Sequence, residues 1–338
     1  MLTGKSPGYI PINKQLMKKS SNFGISTAVG LVVLVILFCS AFVSKGQYST
    51  LKKVSVLEGR WDMTLVMDGK EFPSWLEVEH SGLHTLVGRF VYANGSARPI
   101  SKVNFDGEKF SFRIPPQWES ETKDLEFEGT FTYKGLIGTL VYTDGKKYNW
   151  TAVNAPSLKR EGEPVWGEPI NLFNGVDLKG WHATGENQWK VENGILRSKQ
   201  SGSNLVTDMT FTDFKLHIEF RYQKESNSGV YLRGRYEVQI DDSKGMDPWV
   251  GHLGAIYGFL TPSEMVAKDP GVWQSYDITL RGRMVTIIAN NKLVIFNQEI
   301  PGITGGAINS KEGEPGPILL QGDHGPIDFR NIILTPIK

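Results

Sequence analysis

The sequence contains almost no cysteine. Its single cysteine, Cys39, lies inside the most apolar stretch of the chain, residues 24–43. Everything after that stretch therefore has no thiol for a disulfide bond, for thiolate catalysis or for cysteine-ligated zinc. Those three kinds of chemistry are excluded from the folded part of the protein.

An excess of charge of either sign is also missing. The 37 Lys and Arg residues nearly balance the 36 Asp and Glu residues, which leaves a net charge of +1. Such a balance gives no electrostatic reason to bind nucleic acid or an anionic membrane surface. We therefore expect no nucleic-acid partner.

Helical periodicity is nearly absent, whereas the 37 glycines and the 11% aromatic residues are typical of β-structure with tight turns. A length of 338 residues suggests about two domains in addition to a targeting segment.

The N-terminal extension, residues 1–46, has the pattern of an export signal. The positive segment Met17–Lys19 precedes the apolar residues 24–43, and small residues lead to a cleavage position after Gly46. An uncleaved membrane anchor formed by residues 24–43 is the alternative. Lipid attachment at Cys39 is disfavoured, because bulky Phe38 precedes it. In each case we expect the folded part in the periplasm or cell envelope.

Two β domains are predicted after this extension. Residues 54–155 read as short strands separated by turn signals such as Asp68-Gly69, Asn94-Gly95 and Asp144-Gly145, which predicts a small antiparallel barrel or meander. Residues 156–168 are rich in Pro, Gly and charge and form the predicted linker. Residues 169–338 then follow as a second domain.

The strands of the second domain alternate between apolar and polar residues. Residues 214–222 place four apolar side chains on one face, and residues 285–296 form a hairpin around Asn290-Asn291. Together they predict an all-β fold with a jelly-roll sandwich of two sheets. The opposite faces of these strands carry one polar set: Glu219, Arg221, Tyr231, Arg233, Glu237, Gln239 and Asp241.

A set this polar does not suit a sheet–sheet core, so it must face solvent, another domain or a ligand. Carboxylates, Arg and Gln suit sugar hydroxyls, and Trp249, Tyr257 or Trp273 could offer a ring for stacking. The alternative is a solvated face held by cross-strand ion pairs.

Several ordered motifs resemble one known family. They are Phe173-Asn-Gly-Val-Asp-Leu-Lys-Gly-Trp181, Phe214-Lys-Leu-His-Ile-Glu-Phe-Arg221, Ser228-Gly-Val-Tyr-Leu-Arg233, Tyr236-Glu-Val-Gln-Ile-Asp-Asp242, Gly254-Ala-Ile-Tyr257, Leu320-Gln321 and Phe329-Arg-Asn-Ile332. Residues 169–337 thereby resemble the 3-keto-disaccharide hydrolase domain family. The resemblance implies a concanavalin-like jelly roll, action on glycosides oxidised at C3 and an oxidoreductase partner that makes the 3-keto sugar. The N-terminal β domain is not covered.

An ordinary two-carboxylate glycosidase fits the pattern poorly. Glu237 and Asp241 share a strand face but lie about 13 Å apart at about 3.3 Å per residue, whereas such enzymes need carboxyl groups closer than about 10 Å. A pair across neighbouring strands, such as Glu219 with Glu237, stays open.

A 3-keto glycoside needs less machinery, because the ketone acidifies the hydrogen on C2 and elimination requires one base, an enolate stabiliser and an acid. We assign Glu237 or Asp241 as the base, Arg233 as the stabiliser and His324 as the acid or a ligand. The residues expected to bind substrate are Glu219, Arg221, Tyr231, Gln239, Tyr257, Trp273 and Gln321.

No compact metal motif is present. A divalent metal held by Asp241, Asp242, Asp323 and His324 is nevertheless an open alternative. Two non-enzymatic functions also remain: a carbohydrate-binding module, and a structural envelope protein whose polar face is covered by the N-terminal β domain.

Overall fold

The computed structural model describes residues 56–82, 84–119 and 121–338, which belong to one compact unit. These residues are all-β: strands and loops account for them, with no helix among them. Within the same residues, nothing forms a helix with the length and apolarity to cross a bilayer. The predicted signal or anchor, with Cys39 and Gly46, lies outside the described residues.

The first part is a closed antiparallel barrel in which each strand pairs with the next and β8 pairs with β1. Asp68 and Gly69 join the first hairpin with φ angles of 49° and 76°, as a two-residue turn of type I′ requires. The predicted small barrel is confirmed. Its strands are β1 (Gly59–Met67), β2 (Lys70–Ser81), β3 (Thr85–Val91), β4 (Arg98–Phe105), β5 (Lys109–Ile114), β6 (Leu125–Thr132), β7 (Gly135–Val141) and β8 (Lys147–Asn154).

The second part is a sandwich of two antiparallel sheets, which confirms the predicted fold class. The smaller sheet has the order β10-β13-β20-β15-β16, and the larger has β11-β12-β21-β14-β17-β18-β19, with β9 paired to β21. The strands are β9 (Ile170–Asn171), β10 (Trp181–Ala183), β11 (Lys190–Glu192), β12 (Ile195–Ser198), β13 (Leu205–Thr207), β14 (Phe214–Tyr222), β15 (Asn227–Leu232), β16 (Tyr236–Asp241), β17 (Gln274–Arg281), β18 (Met284–Ala289), β19 (Lys292–Glu299), β20 (Leu319–Leu320) and β21 (Ile327–Pro336).

Alternation along the strands forms the core of the sandwich. Phe214, Leu216, Ile218 and Phe220 of β14 are fully or almost fully buried between the sheets, as predicted. The opposing sheet contributes the apolar positions of β15 and β16 to the same cluster. Burying aliphatic and aromatic side chains of this size stabilises a fold by about 1.5–3 kcal/mol each, so this layer contributes strongly to the stability of the sandwich.

The predicted hairpin of residues 285–296 is formed by β18 and β19. Asn290 and Asn291 both have positive φ angles, 50° and 65°, which asparagine tolerates better than most residues.

The barrel packs directly against the sandwich. Trp75 of the barrel belongs to the hydrophobic cluster of the sandwich and meets the ring of Phe259 edge-on, with centroids 5.2 Å apart. Polar contacts reinforce the junction, because Arg60 of β1 pairs with Glu299 of β19 at 2.6 Å. The two β structures are therefore packed as one body rather than joined only by a linker.

Candidate active site

A cavity of about 440 Å³ lies on the outer face of the smaller sheet. Alternation along β16 creates its floor, because Val238 and Ile240 point into the core and leave Glu237 and Gln239 on the opposite face. Its volume is typical of small-molecule sites. The sandwich residues that line it are Asn204, Asn227, Tyr231, Glu237, Gln239, Tyr257, Gly305, Gly306, Gln321, Asp323 and His324.

A larger cavity of about 670 Å³ lies in the barrel, where β4 and β5 share only two paired positions. It contains no buried acid–base pair among its lining residues. Asp106, which lines it, is fully exposed, and backbone N–H groups of Lys109 and Glu108 lower the pKa of its carboxyl group. The buried and paired titratable groups suited to acid–base catalysis therefore line the smaller cavity.

Glu237 is the buried carboxyl group of that cavity. Its side chain is only 3% exposed, and burial raises the pKa of its carboxyl group to about 8. The negative charge of Asp323 also raises this pKa, whereas a hydrogen bond from Tyr231 and the positive charge of His324 oppose the shift. Gly229 makes room for the carboxyl group, because a Cβ atom at that position would lie 2.5 Å from Glu237 Oε1.

Tyr231 connects Glu237 to the backbone. The Tyr231 hydroxyl lies 2.9 Å from Glu237 Oε2 and 3.0 Å from the carbonyl oxygen of Gly305. Its single hydrogen can be donated to only one of these acceptors at a time. When Glu237 is protonated, it can donate to Tyr231 while Tyr231 donates to Gly305, so both protonation states of Glu237 have a hydrogen-bond partner.

His324 faces the same cavity and is paired with Asp323. The distance from His324 Nδ1 to Asp323 Oδ1 is 2.6 Å, and this hydrogen bond raises the imidazole pKa above its usual value of 6.5 although partial burial opposes the shift. Bonding at Nδ1 leaves Nε2 as the nitrogen available to a substrate. The hydroxyl of Ser201 donates to the backbone carbonyl of Asp323 and anchors the loop.

Two glutamine side chains add hydrogen-bonding groups. Gln239 Oε1 accepts the backbone N–H of Ile240 at 3.0 Å, which leaves the Gln239 amide nitrogen to donate elsewhere. Gln321 Oε1 is buried and has no hydrogen-bond partner among the described residues. A buried acceptor of this kind is costly unless a ligand satisfies it, so Gln321 is suited to accept a hydroxyl group of a sugar.

The cavity thus gathers part of the predicted site. Glu237 and His324 from the predicted catalytic set line it, as do the predicted binding residues Tyr231, Gln239, Tyr257 and Gln321. Tyr257 is held close to Glu237, because its backbone N–H donates to the Glu237 carbonyl at 3.0 Å.

Arg233 does not line the cavity. The strand β15 ends at Leu232, and Arg233 enters the following turn with a φ angle of 53°, so the alternation that predicted an outward side chain stops there. Its buried guanidinium group donates to the hydroxyl of Tyr236 at 2.7 Å and to the carbonyl of Gly282 at 3.2 Å. The positive charge expected beside Glu237 lies elsewhere.

Asp241 is also placed outside the cavity, at the end of β16, where its Oδ2 atom lies 2.9 Å from His252 Nδ1. Asp242 accepts the backbone N–H of Glu225. Among the described residues, no group of three or more His, Cys, Asp or Glu is arranged to hold a metal ion, so Asp241, Asp242, Asp323 and His324 do not form one ligand set. A metal requirement stays a prediction.

Glu219, Arg221 and Trp273 lie with the larger sheet, not beside Glu237. Glu219 is paired with Arg330 at 2.7 Å, and the guanidinium groups of Arg330 and Arg221 lie 4.0 and 4.7 Å from the ring centroid of Trp273. The Glu219–Glu237 pair left open by the sequence is therefore not formed, since β14 and β16 belong to different sheets. The apolar–polar alternation along a strand predicts which face of the strand a side chain lies on, but it does not predict which of the two sheets the strand joins.

Three lining residues come from the barrel: Asn94, Gly95 and Trp118. The sequence presented Asn94-Gly95 only as a turn signal, and Trp118 follows two prolines in a loop with no strand pattern. An isolated tryptophan in such a loop is a weak signal for a ligand site, and nothing in the sequence indicates that this loop reaches the second domain.

Comparisons with known proteins identify relatives of the part of the chain that forms the sandwich. The family model described as the 3-keto-alpha-glucoside-1,2-lyase-like domain matches residues 168–335. A curated 3-keto-disaccharide hydrolase of Bacteroides thetaiotaomicron is 28% identical over 91 residues, which are 23% of this chain and 31% of the relative. The match thus covers less than a third of that relative's length.

Solved structures were also found. A protein of Parabacteroides distasonis to which glycosyl hydrolase function is attributed is 29% identical, with a TM-score of 0.43, and the alignment covers 54% of this chain and 96% of that one. A β-glucanase of Bacillus licheniformis is 11% identical with a TM-score of 0.33, covering 53% and 100% of the two chains.

Proposed function

Because residues 168–335 belong to the family of 3-keto-alpha-glucoside-1,2-lyase-like domains, we propose that this protein cleaves the glycosidic bond of sugars that carry a ketone at C3. The observation that carries the proposal is the buried carboxyl group of Glu237, with its pKa raised to about 8, in one cavity with the Asp323–His324 pair. A desolvated carboxylate is a stronger base than one in water, and a base is what a 3-keto sugar requires.

The reaction proceeds by elimination followed by addition of water. The Glu237 carboxylate takes the proton from C2, and the electron pair of that bond forms the enolate with C3. The ketone then re-forms, a double bond forms between C1 and C2, and the bond between C1 and the glycosidic oxygen breaks. The His324 imidazolium gives its proton to the departing oxygen.

Water completes a net hydrolysis. Neutral His324 removes a proton from water as the hydroxide adds to C1, and protonated Glu237 returns a proton to C2. The 3-keto sugar is released, and both side chains regain their starting protonation states. Each proton that leaves one group is thus returned, with no need for an oxidant or reductant.

The remaining residues bind and orient the sugar. The amide nitrogen of Gln239 is the donor that we assign to the enolate oxygen, in place of Arg233, and Gln321 Oε1 accepts a hydroxyl group. Tyr231 keeps the Glu237 carboxyl group oriented in both protonation states.

Turnover of 3-keto-trehalose by the purified protein, followed by NMR, tests the proposal. We expect release of glucose and 3-keto-glucose, and no cleavage of trehalose, whose C2 hydrogen is not acidified. The same samples with a chelator test the metal prediction. Saturable binding without turnover would contradict the proposal and favour the carbohydrate-binding module.

Export and a partner enzyme belong to the same proposal. Residues 1–46 carry the signal pattern, and a C3 ketone must be introduced by an oxidoreductase that acts before this protein. The N-terminal sequence of the mature protein tests the first point: a start at Gln47 indicates cleavage after Gly46, and retention of residues 24–43 indicates a membrane anchor.

A further inference from the structure

The sandwich alone does not enclose the candidate active site. Asn94, Gly95 and Trp118 of the barrel form part of the cavity wall, and all three precede the residues matched by the family model. The cavity therefore has a side built by a part of the chain that the family model does not match.

Glycines hold this barrel wall tightly against the sandwich. A Cβ atom at Gly305 would lie 2.3 Å from the carbonyl oxygen of Gly95, and the backbone N–H of Gly306 donates to the Ala93 carbonyl at 2.9 Å. A Cβ atom at Gly258 would lie 2.7 Å from the backbone nitrogen of Ala97. Backbones this close leave the wall a fixed position relative to Glu237.

The loop that carries Trp118 is itself tied down. Gln117 and Ser96 exchange two hydrogen bonds, at 3.2 Å from the Ser96 N–H and at 2.9 Å to the Ser96 hydroxyl. A Glu119 carboxylate oxygen accepts the backbone N–H groups of Gln117 and Trp118, and Arg98 donates to the carbonyl of Pro115 at 2.7 Å. The backbone that presents Trp118 is fixed by these bonds.

The side chain of Trp118 is nevertheless 72% exposed. A large aromatic ring held by an ordered backbone at the wall of a polar cavity is suited to a partner with one flat apolar face and polar edges. Carbon-bound hydrogens on the face of a pyranose ring, with hydroxyl groups around the edge, have this character.

We propose that the barrel supplies a binding subsite for the leaving group, in which Trp118 stacks against the ring released from C1. This inference rests on the proposed function. The substrate class is then a 3-keto glycoside with a ring-shaped leaving group, a disaccharide above all, rather than one with a small alkyl leaving group. The oxidised sugar lies against Glu237 and His324, and the second ring extends toward the barrel.

The test compares Trp118→Ala with the wild-type chain on two substrates, 3-keto-trehalose and the methyl 3-keto-α-glucoside. We expect KM for 3-keto-trehalose to rise about tenfold, the size of effect that loss of one aromatic contact gives, with kcat and the methyl glucoside kinetics unchanged. Trp118→Phe should retain most of the affinity. Tyr133→Ala, which removes an exposed barrel aromatic outside the cavity, is the matched control and should change neither substrate.

Unchanged kinetics in Trp118→Ala, or an equal loss on both substrates, would overturn the subsite. If the wild-type chain turns over neither substrate, the proposed function fails, and calorimetric binding of 3-keto-trehalose decides the subsite separately. Weaker binding by Trp118→Ala than by wild type would support it, whereas equal binding, or no binding by either protein, would overturn it.

Discussion

At the scale of single residues, the central feature is the carboxyl group of Glu237, whose ionisation is made unfavourable by burial. Glu237 is buried beneath the cavity, and desolvation outweighs the hydrogen bond from Tyr231 and the nearby His324 in setting its pKa. His324 has its pKa raised by Asp323. A buried carboxyl group with a raised pKa beside an imidazole with a raised pKa is an arrangement suited to acid–base catalysis.

This arrangement predicts a bell-shaped pH profile. We expect kcat/KM to rise toward pH 8 as the Glu237 carboxylate forms. Activity also needs the proton of His324, so kcat/KM should fall on the alkaline side, which the hydrogen bond to Asp323 moves upward by raising the imidazole pKa. Glu237→Gln should lower kcat by about 10²- to 10⁴-fold, the usual contribution of a general base. Steady-state kinetics from pH 5 to 10 checks both. A full-activity Glu237→Gln variant would refute the assigned base.

At the scale of strands and turns, the alternation of apolar and polar residues predicted which side chains share a face. This prediction is correct inside regular strands. The apolar positions Phe214, Leu216, Ile218 and Phe220 are buried as predicted. Glu237 and Gln239 share the face that forms the cavity floor. It failed at Arg233, because a positive φ angle after the end of β15 turns that side chain into the interior.

Arg233 consequently has a different expected role. Removing its side chain by Arg233→Ala eliminates the hydrogen bonds to Tyr236 and Gly282 and leaves a gap in the interior. We expect the free energy of unfolding to fall by about 1–3 kcal/mol, with kcat changed less than about threefold. Urea unfolding and kinetics on the same sample check this. A large loss of kcat at unchanged stability would restore the catalytic assignment.

At the scale of the whole molecule, the barrel and the sandwich share a buried charged cluster. Asp62 of β1 faces Glu312, which is bound by Arg283 with a 2.8 Å hydrogen bond from Arg283 Nε. Burial, followed by the charge of Glu312, raises the pKa of Asp62 to about 8. At neutral pH, Asp62 therefore holds a proton that the same residue loses in the unfolded chain.

That proton couples stability to pH. The contribution of Asp62 is fully present below its unfolded pKa near 4 and is lost as the pH rises through about 8, at a slope of at most about 1.4 kcal/mol per pH unit. Asp62→Asn should remove this contribution to the slope of the unfolding free energy between pH 5 and 8. The contribution of Glu237, whose pKa is also raised, should remain. Urea midpoints across that range check it; an unchanged slope would contradict the assignment.

The whole-molecule arrangement is also where sequence reasoning was weakest. The motifs of residues 169–337 indicated the sandwich and most of the cavity floor, because each lies within a strand or an adjoining loop. The contribution of Asn94 and Trp118 could not be predicted, since it depends on how the barrel packs against residues more than a hundred positions later. Which sheet holds Glu219 was equally a question of topology rather than of pattern.

The most direct test of the account is the fate of the hydrogen on C2. When 3-keto-trehalose is cleaved in D₂O, elimination and rehydration should place deuterium at C2 of the released 3-keto-glucose at the earliest times that NMR can follow, above the exchange seen in a sample without enzyme. Glu237→Gln should lose cleavage and deuterium incorporation together. Because the buried Glu237 can return the same proton, the decisive companion is a substrate deuterated at C2, for which elimination predicts a primary kinetic isotope effect on kcat/KM. Cleavage by wild type with the original hydrogen retained at C2 and with no such isotope effect would contradict the account and indicate direct displacement at C1.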